Sequence, residues 1–194
     1  IKSGFAFKSS WWQASGVPVI KIKEISDATI NFNNVSFVAE DKIQTAKEFY
    51  VTGGELLIAM TGATIGKFAL VPKIKQGALV NQRVGKFFLG NSPLKKAGFL
   101  YCLLKKEEIF NESVSRGDGS AQPNISPTAI ETIKIVYPSE YYILQFNHAV
   151  YSSFEMIISN TYENSKLEKL RDALLPKLMS GEIRVPIEEV AADV

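Results

Sequence analysis

Cysteine and histidine are nearly absent from this chain: Cys102 is the one thiol and His148 the one imidazole. A lone cysteine excludes an internal disulfide and leaves a cysteine-based zinc site without ligands, which points to a reducing compartment. His148 falls in a helical stretch beside apolar residues, where packing or surface roles suit it better than general-base work. Neither a Ser-His-Asp nor a Cys-His arrangement can be placed. No apolar run approaches the roughly eighteen residues of a membrane span, and no charged-apolar-small leader opens the chain, so a soluble, unexported, cytoplasmic protein is expected. Nucleotide and methyl-transfer motifs are missing as well. There is no Walker A loop, no GxGxxG turn after a strand and no Asp/Asn-Pro-Pro-aromatic turn. The segment Gly62-Ala63-Thr64-Ile65-Gly66-Lys67 superficially suggests phosphate binding, but it lacks the Walker spacing and lies between two strands instead of opening a helix. Metal, cofactor and catalytic sites are therefore not expected in this chain, and a binding module is favoured over an enzyme.

What is present is enough apolar content for a real core. At 194 residues and 46% hydrophobic, the chain fits one domain of ordinary size plus an appendage. Its formal charge of +2 hides a division at Pro138. Residues 1–138 carry 17 Lys and Arg against 11 Asp and Glu, whereas residues 139–194 carry 5 against 9. A basic first part suggests a polyanion partner, and an acidic second part a protein partner.

The basic part reads as many short strands joined by glycine-rich turns. Strands are expected at Val17–Ile22, Val35–Val38, Leu56–Met60, Ile65–Val71, Gly77–Val80, Arg83–Leu89 and Ile133–Tyr137. Leu56-Leu57-Ile58-Ala59-Met60, apolar throughout, is expected to be central in a sheet. A short helix is expected within Asp41–Lys47, and an amphipathic helix over Pro93–Phe110. Ser126-Pro127, an N-cap followed by proline at the first helical position, starts another short helix through about Glu131. The polar, glycine-bearing stretch Ser115–Asn124 is a long loop of the kind that usually has a function.

From Glu140 to Ser180 there is no glycine and one proline, Pro176. Apolar residues return at helical spacing: Ile143, Phe146, Val150, Phe154 and Ile157, then Leu167, Leu170, Leu174, Leu175 and Leu178. Forty helical residues would reach roughly 60 Å. A seam of that length calls for a partner, the alternative being a helix laid across the domain's own sheet. Counting sevens from Ile143 passes through Asn164 and Arg171, so a polar middle separates two apolar ends and is suited to fixing register.

Asn81, Gln82, Arg83, Arg116, Gln122 and Asn124 fall in turns and include the side-chain types that bond adenine and guanine edges. Lys8, Lys21, Lys23, Lys67, Lys73 and Lys75 are candidates for phosphates, which position a protein without reading sequence. A solvated surface charge remains open for each lysine, and a turn-stabilising role for Asn81 and Asn124.

The order of several motifs resembles one repeat of the DNA-specificity subunits of type I restriction-modification systems. They are Ser3-Gly4-Phe5-Ala6-Phe7-Lys8-Ser9, Gly16-Val17-Pro18-Val19-Ile20, Gly54–Ile58 with Thr61–Lys67, Val80-Asn81-Gln82-Arg83, and Gly119–Ser126. The closing stretch Leu167–Val185 resembles the last helix of such a subunit. The resemblance implies an α+β chain: a β-rich target recognition domain at 1–138 with short helices, a spacer helix at 139–185, and a poorly ordered tail at 186–194. The helix would form an antiparallel coiled coil with a partner copy. Thr64 and Ser120, within these motifs, join the candidate DNA-binding residues. The implied partners are double-stranded DNA, modification (methyltransferase) subunits that carry S-adenosylmethionine, restriction subunits, and a second copy, since the family's full subunit has two repeats reading a bipartite site. A single repeat implies either a half-sized subunit or the carboxy-terminal half of a longer one. A protein-interaction or assembly module that kept the scaffold without reading DNA is the rival.

Overall fold

The computed structural model describes residues 1–26, 28–117 and 124–184, and divides the chain into two compact units, Ile1–Tyr162 and Glu163–Val194. The first unit is built on two sheets. One has four antiparallel strands in the order β1 (Lys2–Ser3), β11 (Val84–Lys86), β8 (Leu56–Ala59), β9 (Phe68–Leu70). The other has five, in the order β2 (Trp12–Gln13), β6 (Ser36–Val38), β3 (Val17–Ile20), β10 (Ala78–Val80), β7 (Tyr50–Val51), with β3 and β10 parallel. A small pair, β4 (Ile25–Ser26) and β5 (Thr29–Ile30), is attached.

The two-residue side-chain period explains why β8 is apolar at every position. Leu56 and Ile58 point to a layer of helices, while Leu57 and Ala59 point to the five-stranded sheet, where Ile20, Ala78 and Val80 meet them. Val19 and Leu79, on the opposite face of that sheet, pack with Phe7 and Val38. The expectation of a central strand is met: β8 lies between β11 and β9 and is wholly buried.

Among the described residues, five α-helices accompany the sheets. A single turn, α1, occupies Lys42–Thr45. The helix expected over Pro93–Phe110 is instead two, α2 (Leu94–Leu104) and α3 (Glu107–Ser115). Lys106 is extended, and Glu107 and Glu108 open the second helix, where the helix dipole favours acids. α4 (Pro127–Glu131) begins as expected, with Ser126 Oγ accepting the Ala129 N–H at 3.1 Å. Residues 133–139 form no strand, contrary to expectation: Val136 is 93% exposed, with no ladder partner among the described residues.

The long helix, α5, runs Glu140–Met179 without interruption and ends where Gly181 takes a left-handed φ of +75°. Within the first unit its inward-facing stripe is the buried Asn147, Phe154 and Ile158 with the half-buried Val150, packed against β8, β9 and α2. Gly98 of α2 permits this approach. A Cβ there would lie 2.6 Å from Val150 Cγ2 and 3.1 Å from Asn147 Oδ1, while Asn147 Oδ1 accepts the Phe99 N–H at 2.7 Å. The seam read from sequence is thus rotated here. Phe154, 6% exposed, and the half-buried Val150 serve the chain's own core and are not available to a partner, whereas Ile157, 43% exposed, and Phe146 point outward and Ile143 is half-buried.

Candidate nucleic-acid interface

Because β3 and β10 are parallel, both end on the same edge, and the loops that follow them are hydrogen-bonded together. The Asn81 N–H donates to Ile20 O at 2.9 Å, the Met60 N–H after β8 donates to Arg83 O at 3.0 Å, and the Ile125 N–H donates to Met60 O at 2.7 Å. Asn124 pairs with Thr61 in an antiparallel bridge, and the 3-10 turn Ile22–Glu24 packs beside the turn Gly62–Thr64. The amino-terminal loop joins the same edge: the Phe5 N–H donates to Val80 O at 2.8 Å and the Gln82 N–H to Phe5 O at 3.0 Å. Loops distant in sequence thereby bring together Lys21, Lys23, Thr64, Asn81, Gln82, Arg83 and Asn124.

Within this group the roles divide by burial. Asn81 is buried and its Oδ1 accepts the Arg83 N–H at 3.3 Å, so it shapes the turn. Gln82 and Arg83 are exposed on that turn, with donors suited to base edges or phosphates, and Asn124 is exposed beside Thr61. Lys21 is half-buried. Its Nζ donates to Ser36 Oγ at 2.8 Å and lies 3.8 Å from the centre of the Trp12 ring, and burial pushes its pKa below the usual lysine value. Glu24, 3% exposed, accepts the Lys21 N–H at 2.9 Å and lies 3.5 Å from Lys23 Nζ. Burial raises the Glu24 pKa above the ordinary carboxylate value despite those contacts. Lys23, exposed, also donates to Asn34 O at 3.2 Å. The Thr64 hydroxyl oxygen is buried without a hydrogen-bond partner among the described residues.

The remaining candidates lie elsewhere. Lys67 is exposed over a groove lined by Ala28, Phe68, Leu104, Lys105 and Phe110. Arg116 is committed to the fold: its guanidinium bonds Glu112 Oε1 at 2.6 Å, Thr132 Oγ1 at 2.6 Å and Ala129 O at 3.3 Å, tying α3 to α4. Ser120 and Gln122 lie outside the described residues. In the second unit, Leu167, Leu170, Leu174 and Leu178 are exposed. Sequence inspection passed over an aromatic cluster next to the converging loops. Phe5 stacks on Trp11 at 6.0 Å, Phe7 meets Trp11 and Trp12, and Lys8 and Lys42 lie over the Trp11 ring at 5.7 and 4.8 Å. The readable signal is the adjacent pair Trp11-Trp12 between two lysines.

An α+β domain that gathers cationic and amide-bearing loops on one edge of paired sheets, and continues into a forty-residue helix, has the form of a recognition module. The family model for the type I restriction modification DNA specificity domain matches residues 1–169, so the chain belongs to that family. It is 28% identical over 188 residues to the type I restriction enzyme MjaVIII specificity subunit of Methanocaldococcus jannaschii, and 30% identical over 172 residues to the HindI specificity subunit of Haemophilus influenzae. These alignments cover 95% and 86% of this chain but 44% and 35% of the relatives. The EcoAI specificity subunit of Escherichia coli is 24% identical over 132 residues, 66% of this chain and 22% of that protein. The chain therefore spans less than half the length of these relatives.

Proposed function

We propose that this chain recognises double-stranded DNA by sequence, without catalysing a reaction itself, as the specificity subunit or half-subunit of a type I restriction-modification complex. Residues 1–138 supply the reading surface, and the helix that follows spaces it from a second copy in an antiparallel coiled coil. Modification subunits holding S-adenosylmethionine, and restriction subunits, are directed to a bipartite site. The observation that carries this function is the convergence of Lys23, Gln82, Arg83 and Asn124 on one sheet edge of a chain that belongs to the DNA specificity domain family. Arg116 is withdrawn as a base-reading candidate, since its guanidinium is used in the fold.

The test is selection from random duplexes by the chain assembled with its methyltransferase subunits. Enrichment of a split sequence is expected, with log affinity falling linearly against log salt as counterions are released. A complex that enriches nothing would overturn sequence recognition and leave the scaffold as an assembly module.

A further inference from the structure

Resting on that DNA-reading function, the geometry points to a phosphate-positioning site: we infer that Lys8, Trp11 and Lys42 hold the sugar–phosphate backbone of one DNA strand beside the Gln82–Arg83 turn. Trp11 is half-buried, stacked against Phe5 with ring planes 12° apart, and Phe5 is bonded through its backbone to Val80 and Gln82. The corner is therefore fixed in position relative to the turn. Both ammonium groups lie within 5.7 Å of the centre of the one indole, which anchors each of them to the same ring. Among the described residues, Lys8 has no acidic partner and the Trp11 indole N–H has no acceptor within the fold. Two cations and a free N–H donor on one rigid corner match the oxygens of a phosphodiester, and carry no pattern that distinguishes bases.

One carboxylate opposes this charge. Lys42 is ion-paired with the exposed Asp41, a surface pair that contributes little and that a phosphate can displace. The opposition gives the site a signature of two signs. Removing the lysines weakens binding, whereas removing Asp41 strengthens it.

The measurement is binding of the full chain, assembled with its methyltransferase subunits, to its selected duplex and to a scrambled duplex across a salt series. For Lys8→Gln/Lys42→Gln the expected result is roughly tenfold weaker binding to both duplexes alike, with the salt slope shallower by about one to two. Asp41→Asn should bind both duplexes a fewfold more tightly. Trp11→Phe keeps an aromatic ring for Phe5 and the two lysines but loses the N–H donor and part of the ring area, so weaker binding to both duplexes alike is expected, whatever the change in thermal stability. An unchanged slope in the lysine pair, or a loss confined to the selected duplex, overturns the phosphate assignment. Those outcomes leave DNA recognition standing, whereas an unmutated complex without sequence preference removes the DNA-reading function itself.

Discussion

The surroundings of Glu24 are costly to its charge. Burial outweighs the Lys21 N–H and the nearby Lys23, so its folded pKa stands above the unfolded value. Its favourable contribution is complete below the ordinary glutamate pKa and is lost as pH rises through the raised one. Urea titrations of wild type and Glu24→Gln should therefore show wild type losing stability relative to the variant as pH rises above about 4.5. A constant difference across pH would remove the linkage. Ala28 is strained for a different reason, since it takes φ +64° without being glycine. Ala28→Gly should raise stability by about 0.5–1 kcal/mol in a denaturation midpoint, relief of the left-handed strain exceeding the entropy lost by glycine. Site residues are only partly legible at this scale. Residue type nominated Lys21, Asn81 and Arg116, but the partners that occupy them are set by folding: Ser36 and Trp12 for Lys21, Thr132 for Arg116. Two such partners are visible in sequence: Glu112, four positions before Arg116, because that spacing faces two side chains on a helix, and the Arg83 N–H, two positions after Asn81, because that spacing closes a turn.

At the scale of elements, α5 carries two different apolar faces, and a single helical period cannot tell them apart. Asn147, Val150, Phe154 and Ile158 follow the spacing of a stripe laid on a sheet and on α2, with the half-buried Ile143 four residues before it, while Phe146 and Ile157 lie one position away and face outward. Phe154→Ala should cost about 3–5 kcal/mol of domain stability, as loss of a buried aromatic leaves a cavity. Ile157→Ala should stay within about 0.5 kcal/mol at concentrations where the chain is monomeric. Equal losses in the two variants, measured by urea denaturation, would contradict the observed facing. Strands bounded by glycine turns and apolar throughout, such as β8, were legible because burial on both faces leaves an uninterrupted run. Two-residue strands such as β1 and β7 carry no period to detect, and Ile133–Tyr137 has strand composition but no ladder to join. The split between α2 and α3 was written in Lys105-Lys106-Glu107-Glu108, a charge reversal that suits one helix end and the next helix start.

At the scale of the molecule, residues 1–138 are net basic and residues 139–194 net acidic, a division that supports the proposed assignment of DNA to the first part and a protein partner to the second. Beyond Tyr162 the exposed leucines Leu167, Leu170, Leu174 and Leu178 recur along the helix at spacings of three and four, and Asn164 precedes them at a position seven from Arg171. If a second copy covers these leucines, a charge introduced among them must be buried unpaired in the dimer and is costly there, while the first unit, which does not include them, keeps its stability. Leu167→Glu/Leu174→Glu is therefore expected to sediment as a monomer with an unchanged urea midpoint for the first unit. Asn164→Leu should act in the opposite direction, because a polar residue in a seam lowers stability in exchange for register. Its association should tighten, and its orientation preference should relax, seen as broadened spacing between the two halves of the selected DNA site. An unchanged mass for the double glutamate variant would place the assembly surface elsewhere, on the outward face of Phe146 and Ile157. In that case the same substitutions made there, Phe146→Glu and Ile157→Glu, are the ones that must dissociate the complex.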